Sequence, residues 1–243
     1  WWSVALFVMI GGYNVYYSYQ NRGCFLLKKK LLGILIPYFF ATALYCIYAN
    51  HFFDAATFLD SLIHFNATGP LYYVAVYIQL LIISPVLIAV IRKGGNFKWI
   101  LAVSWVAVIG IGSLTTHFTN IFDIVIGGGN LFAGPWIIFW YLGMCIKYAE
   151  DYVNVKASKK WLVAGLTVAT VLWQYIFVNR GFNLMLGSMY HGKQVGMTWA
   201  NAFETVLLFF WFKYTVPFFE EKTGSIGKMI IKPLDFMGRY TLY

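Results

Sequence analysis

The chain has 243 residues, of which 60% are hydrophobic and 11% are charged, and its formal net charge is +9. Soluble domains are about 45–50% apolar and about 25% charged, so this chain has more apolar surface than a soluble core of its length can bury. The basic residues lie beside apolar segments and form no long basic arm, which excludes nucleic acid as the expected partner and leaves membrane lipid.

Long apolar segments recur along the whole chain. A helix needs about 20 mostly apolar residues to cross a bilayer. We predict membrane spans at 1–19, 31–50, 70–91, 99–118, 131–148, 161–178 and 197–218, with an eighth beginning near Pro233. The predicted fold is therefore all-α, a polytopic transmembrane bundle of about seven full spans plus the start of an eighth.

We expect residues 1–243 to form a single transmembrane domain. The chain opens at Trp1 without an initiator Met and closes at Tyr243, where a new apolar stretch begins. We therefore expect a fragment that lacks an N-terminal helix and C-terminal helices.

Positive charges alternate between the connecting segments. The chain has 18 Lys and Arg residues, and all but two of them lie at or after the end of the first, third, fifth or seventh predicted span. The two exceptions are Arg180 and Lys193. The positive-inside rule assigns those four segments to the cytoplasm. We thus predict a multi-pass protein of the cell membrane with Lys28, Lys29 and Lys30 in the cytoplasm. The loops predicted to be extracytoplasmic are 51–69, 119–130 and 179–196.

The predicted outer loops are polar and partly rich in glycine. Loop 51–69 carries His51, Asp54, Asp60, His64 and Asn66. Such loops either fold back to line a cavity or simply connect the spans in water, and the sequence leaves both readings open.

Three consecutive lysines, Lys28, Lys29 and Lys30, stand where the first cytoplasmic segment enters the predicted helix at Leu31. Three cations next to a helix N-terminus attract a phosphorylated ligand. They also attract anionic lipid head groups, at about 1 kcal/mol per basic residue. The sequence supports a phosphate site and a lipid anchor alike.

Two polar residues fall inside predicted spans. Glu204 is the only acidic residue well inside an apolar segment, with Asn201 on the same predicted helix face, and Gln79 lies within the third span. Intramembrane carboxylates are costly and are usually functional. Glu204 is therefore a candidate catalytic or acceptor-binding residue, with a protonated structural glutamate as the alternative. Gln79 is an acceptor-side candidate by the same reasoning.

Further acceptor-side candidates are Tyr72 and Tyr73, whose rings could stack on a sugar, and His117 and His191, near the predicted outer face. The four histidines show no paired spacing of a metal site, so no metal is expected. The three cysteines match no disulfide or CxxC pattern, and we interpret them as small buried apolar residues: Cys24, Cys46 and Cys145.

Five motifs in order resemble the acyltransferase 3 family of integral-membrane acyltransferases. They read FVMIGGY at 7–13, FLLKKKLLGILIPY at 25–38, GPLYYV at 69–74 with Ser84-Pro85, FWYLG at 139–143 and FMGRYTLY at 236–243. The family's R-x-x-R pair, implicated in handling the acyl donor, falls on Lys30 and Gly33. The family's catalytic histidine lies upstream of Trp1, so the resemblance assigns no catalytic residue within this chain.

The resemblance implies a membrane O-acyltransferase. It would take an acyl group, expected to be acetyl, from cytoplasmic acyl-CoA held by Lys28, Lys29 and Lys30. It would pass that group to a hydroxyl of an extracytoplasmic glycan or related polar acceptor. The alternatives are a transporter or exporter of a small polar molecule or glycan, and a membrane-sensing module. A homo-oligomer is compatible with the sequence.

Overall fold

The computed structural model describes residues 2–50, 54–67, 71–96, 98–100, 102–104, 106–107, 110, 131–150, 159–179 and 203–218. These residues form helices and short connections, and no strand occurs among them. The helices are α1 Trp2–Arg22, α2 Leu27–Asn50, α3 Ala55–His64, α4 Tyr72–Asn96, α5 Ile137–Glu150, α6 Lys159–Asn179 and α7 203–218. Residues 98–100, 102–104, 106–107 and 110, all but residue 98 within the fourth predicted span, are also helical.

The all-α prediction is confirmed for the described residues. Two of their helical segments are long and apolar enough to cross a membrane, Leu27–Tyr48 in α2 and Tyr72–Asn96. The seven-span bundle stays a prediction, because most of the fourth span, residues 197–202 of the seventh and the eighth span lie outside the described residues.

Helix α2 begins earlier than predicted. Its first residue is Leu27, so Lys28, Lys29 and Lys30 occupy its first turn. The prediction that the lysines precede a helix beginning at Leu31 is therefore wrong. Lysine is a good helix former, and the amide of Lys30 donates to the carbonyl of Leu26 at 3.1 Å, so the helix closes upstream of the charges.

The predicted outer loop 51–69 contains a helix, α3. Asp54 caps it by accepting hydrogen bonds from the amides of Ala56 at 3.2 Å and Thr57 at 3.1 Å. It ends at Phe65, whose left-handed backbone has φ 54°. An N-cap aspartate and an αL C-cap bound a short helix, so a description of this segment as a plain loop is wrong.

The fifth predicted span, 131–148, begins with residues outside any α-helix. Gly134–Trp136 form a 3-10 turn, and α5 follows from Ile137. Pro135 carries no amide hydrogen, and a helical segment needs no such donor at its first positions, so the proline lies in the 3-10 turn from which α5 continues. Gly23, at φ 69°, ends α1 in the left-handed conformation that glycine adopts without strain.

Helices α1 and α5 form the centre of the fold, where their backbones touch. A Cβ atom on Gly12 would collide with the carbonyl oxygen of Trp140, and one on Gly143 would collide with the carbonyl oxygen of Met9. Small residues let two apolar helices approach this closely, which gains van der Waals contact where lipid offers no hydrophobic driving force. Trp140 is fully buried at this contact.

Hydrogen bonds tie α4 to the same core. The indole Nε1 of Trp140 donates to Ser84 Oγ at 2.9 Å, and Ser84 Oγ donates to the carbonyl of Leu80 at 2.7 Å. Tyr77 packs edge-on against Trp140, with ring centroids 4.9 Å apart. Polar groups buried among apolar helices need such partners, because no water reaches them.

Candidate functional site

The first candidate site lies where α1 ends and α2 begins. Lys28 and Lys29 are exposed, while Lys30 is partly buried and lies within electrostatic range of Arg22, the last residue of α1. Among the residues that the structure describes, no carboxylate forms an ion pair with any of these four cations. Cations held together without an acidic partner favour an anionic ligand.

Two positions of the R-x-x-R alignment lie on the same turn. Lys30 provides a charge there, but Gly33 provides none. A further guanidinium reaches α1 from the end of α4, where Arg92 Nη1 donates to the hydroxyl of Tyr19 at 2.8 Å.

We refer to the group Arg22, Lys28, Lys29 and Lys30 as the cation cluster.

A second polar group joins α1, α5 and α7. The hydroxyl of Tyr13 donates to Glu150 Oε2 at 2.8 Å, and Lys147 Nζ lies 3.5 Å from the same oxygen. Lys213 forms an ion pair with Glu150 Oε1. Both ammonium groups also lie over the Tyr13 ring, at 5.9 Å for Lys147 and 5.2 Å for Lys213. Among the described residues, two cations therefore share one carboxylate.

This group borders a cleft of about 330 Å³ between α1 and α7. Its lining combines apolar side chains, from Leu6, Ile10, Phe209 and Phe212, with polar ones, from Tyr13, Asn14 and Lys213. Sequence reasoning missed this site. Its available signals were Asn14 inside an apolar span and Lys213, five residues before the end of α7.

The acceptor-side candidates on α4 have different surroundings. Tyr73 packs edge-on against Phe7 at 5.0 Å. Its hydroxyl is buried without a hydrogen-bond partner among the described residues, and Tyr72 beside it is partly buried.

Gln79 joins α4 to the segment before α5. Its Nε2 donates to the carbonyls of Ala75 at 3.1 Å and Leu131 at 2.6 Å, and its Oε1 accepts from the amide of Ala133 at 3.1 Å. Both ends of the amide are therefore engaged with backbone. This geometry gives Gln79 a structural role, whether or not an acceptor also approaches it.

Of the remaining predicted residues, the structure describes only Glu204. Glu204 is buried, at the second described residue of α7. His117 and His191 lie outside the described residues. Within the described ranges, no group of three or more His, Cys, Asp and Glu side chains could hold a metal.

The three cysteines lie in three different environments. Cys46 is buried and Cys145 is partly buried. Cys24 is exposed in the turn between α1 and α2, so its interpretation as a buried residue is wrong. The turn that places the cation cluster at the surface exposes the neighbouring thiol as well.

A family model described as an acyltransferase domain matches residues 2–242. The chain belongs to this family, acyltransferase 3. The resemblance in the five sequence motifs is thereby confirmed, and the chain is an acyltransferase of a family of membrane proteins. No curated protein and no solved structure gives a significant match. The family match favours the enzyme over the transporter and the sensing module.

Proposed function

We propose that this acyltransferase moves an acyl group, acetyl in the simplest case, from acyl-CoA at the cytoplasmic face to a hydroxyl of an extracytoplasmic glycan or related polar acceptor. The family match supports the acyl transfer. The observation that carries the donor assignment is the cation cluster, whose four positive charges have no carboxylate partner among the described residues. The remaining predicted spans and the positive-inside orientation belong to the same proposal.

The cation cluster fits the phosphates of a coenzyme A donor. Exposed lysine side chains act as mobile point charges toward phosphate, and Arg22 adds a planar donor group beside them. Bound acyl-CoA supplies the activated thioester. The chain's own part is to hold the phosphates at the end of α1 and to shield the acyl end from water.

In this proposal the acyl end enters the cleft between α1 and α7. Tyr13 and Arg22 are nine residues apart on α1, which is about 14 Å along a helix that rises about 1.5 Å per residue. The pantetheine arm of a donor bound at the cation cluster would cover this distance. The apolar wall at Ile10 and Phe209 would then exclude water from the thioester.

Steady-state kinetics on membranes that contain the full-length protein test the donor assignment. Lys28→Gln combined with Lys29→Gln is expected to raise KM for acetyl-CoA at least about 10-fold, because a charge-assisted phosphate contact contributes about 1.5–3 kcal/mol. The matched control is Lys159→Gln with Lys160→Gln, two lysines at the start of α6 that carry the same charge.

The control pair is expected to leave KM within about twofold, since screened surface charge alone has a small effect. An equal rise in both double variants would assign the effect to surface potential and overturn the donor site. Absence of radiolabelled acetyl transfer to any cell-surface glycan by well-expressed wild-type protein would overturn the proposed reaction.

A further inference from the structure

Helix α3 packs against the middle of α2, although the chain connects it to the end of α2. The hydroxyl of Tyr38 lies 2.9 Å from the carbonyl oxygen of Leu62 and 3.2 Å from that of Ser61. The ring of Tyr38 stacks on Phe65 at 4.9 Å, and the neighbouring Phe39 meets Phe58 at 5.2 Å. The end of α3 is thereby held at the twelfth of the 24 residues of α2.

The position of Tyr38 along α2 indicates how deep the end of α3 lies in the bilayer. Helix α2 has Lys30 near one end and rises about 1.5 Å per residue, so Tyr38 lies about 12 Å from Lys30 along the axis. The hydrocarbon core is about 30 Å thick. With Lys30 at the cytoplasmic boundary, the last turn of α3 therefore lies close to the bilayer midplane. Helix α3 has 10 residues and is about 15 Å long, so an α3 that runs along α2 would bring Asp54 near the outer boundary.

The chemistry of the α3 terminus matches that depth. The last four carbonyls of a helix have no partner within the helix, and in hydrocarbon no water can supply one. The Tyr38 hydroxyl is directed at two of these carbonyls, and it is itself buried. A helix ending in water would not need a buried donor there.

Residues advance by about 100° per position in a helix, so the residues of α3 fall on three faces. Each face has different surroundings. One face packs on α2 through Phe58 and Ser61, which are buried. A second face leaves Leu59 54% and Ile63 67% exposed. The third face holds three exposed polar residues, Thr57, Asp60 and His64.

We propose that α3 is a re-entrant helix that enters the bilayer from the extracytoplasmic side, with Leu59 and Ile63 against lipid and with Thr57, Asp60 and His64 lining a water-filled vestibule. Polar side chains at this depth require water or a partner. Apolar side chains on the adjacent face suit contact with lipid, as do the exposed Phe40 and Leu44 of α2.

The vestibule suits a polyhydroxyl acceptor, an assignment that rests on the proposed acyltransferase function. His64 Nδ1 lies 2.9 Å from Asp60 Oδ1 and 3.0 Å from the Asp60 carbonyl oxygen. Both are acceptors, so Nδ1 carries a hydrogen in this geometry. Asp60 Oδ2 and His64 Nε2 are then left to form hydrogen bonds with sugar hydroxyls near the midplane.

Cysteine accessibility tests the re-entrant helix in the full-length protein, with the native cysteines replaced. Cysteine is placed at Thr57, Asp60 and His64, and in matched variants at Leu59 and Ile63. A charged, membrane-impermeant thiol reagent is added from outside. The polar-face variants are expected to react at least about 10-fold faster, because a thiol against lipid remains protonated and unreactive.

Similar rates at all five positions would place α3 on the aqueous surface and overturn the re-entrant helix. No reaction at the polar-face positions would overturn the vestibule.

Tyr38→Phe provides a second measurement, with Tyr45→Phe, an exposed tyrosine of α2, as its control. Loss of the Tyr38 hydroxyl is expected to raise labelling at Ile63→Cys, and the control is expected to leave it unchanged. No rise in the Tyr38→Phe background would contradict the role of this hydroxyl at membrane depth.

Steady-state kinetics test the assignment of the acceptor to the vestibule separately from the labelling. His64→Gln is expected to raise KM for the cell-surface glycan about 10-fold, which corresponds to one hydrogen bond of about 1.4 kcal/mol, with KM for acetyl-CoA unchanged. Asp54→Asn, which retains an N-cap oxygen on the same helix, is the control and is expected to leave both constants unchanged. An unchanged glycan KM in His64→Gln would overturn the acceptor assignment. If wild-type protein transfers no acetyl group, the proposed function fails, while the labelling pattern still decides whether α3 is re-entrant.

Discussion

The hydroxyl of Tyr13 donates a hydrogen bond of 2.8 Å to Glu150, although 137 positions separate the two residues in the chain. Lys147 and Lys213 bind the same carboxylate. One acidic side chain therefore connects α1, α5 and α7 beside the cleft that Tyr13 and Lys213 line. The proposed acyl-binding cleft depends on this contact for its shape.

Glu150→Gln is expected to destabilise the protein by about 1–3 kcal/mol, because it removes the carboxylate charge that two partly buried ammonium groups bind. Thermal unfolding of the full-length protein in detergent measures the loss. Tyr13→Phe removes the hydrogen bond alone and is expected to cost less. The double variant is expected to fall short of the sum of the two single losses, since the residues interact directly. Additive losses would show that Tyr13 and Glu150 act independently.

Gly12→Ala and Gly143→Ala are each expected to lower the unfolding temperature. The added methyl group collides with the backbone of the facing helix, and overpacking a tight contact costs about 1–3 kcal/mol. Gly165→Ala in α6 is the matched control, because no atom lies within 4 Å of the Cβ position there. Equal unfolding temperatures for all three variants would mean that α1 and α5 do not touch through these glycines.

Gln79→Leu is expected to destabilise the segment before α5. The variant leaves the carbonyl of Leu131 and the amide of Ala133 without their partner, at about 1–3 kcal/mol for each buried group. Thermal unfolding is expected to show the loss, with KM for the glycan unchanged at a temperature where the variant is folded. A raised glycan KM in stable protein would instead support the acceptor role predicted from sequence.

Acid is expected to loosen α3 through its N-cap. Hydrogen bonds from the Thr57 hydroxyl, the Thr57 amide and the Ala56 amide hold the pKa of Asp54 below its usual value. A carboxyl whose pKa falls on folding stabilises the fold fully above its unfolded pKa of about 3.9 and loses that effect as the pH drops through the folded pKa.

Hydrogen exchange of the α3 amides, compared between pH 7 and pH values below about 4, measures this effect. Wild-type protein is expected to lose protection at the start of α3 in acid. Asp54→Asn keeps a capping oxygen that does not titrate, so its protection is expected to change less with pH. The same loss in both proteins would assign the acid effect to another group.

Sequence reasoning located helices well where apolar length decides the structure. The predicted span 161–178 and helix α6 differ by only two residues at the start and one at the end. Sequence reasoning failed where the helix propensity of individual residues sets the end of a helix. At the start of α2, the helix-forming lysines belong to the helix itself. The same reasoning also missed α3, whose cap at Asp54 lies inside a segment that composition alone describes as a polar loop.

The candidate site was only partly predictable for a related reason. Lys28, Lys29 and Lys30 are adjacent in the chain, so their clustering is visible in the sequence. Tyr13, Glu150 and Lys213 are far apart in sequence, and a helix that is apolar on every side does not indicate which face meets which neighbour. Their convergence depends on the close packing that Gly12 and Gly143 allow between α1 and α5.

The amino-acid sequence by itself determined that the chain is helical, that it is rich in membrane-compatible segments, and that its motifs are those of an acyltransferase. These properties depend on apolar length and on residues that are neighbours in the chain. Only the tertiary structure decided that Glu150 joins three helices, that Gln79 holds the entry to α5, and that Tyr38 meets the end of α3. Hydrogen bonds and close packing act over a few ångströms in space, and that proximity exists only once the helices have packed.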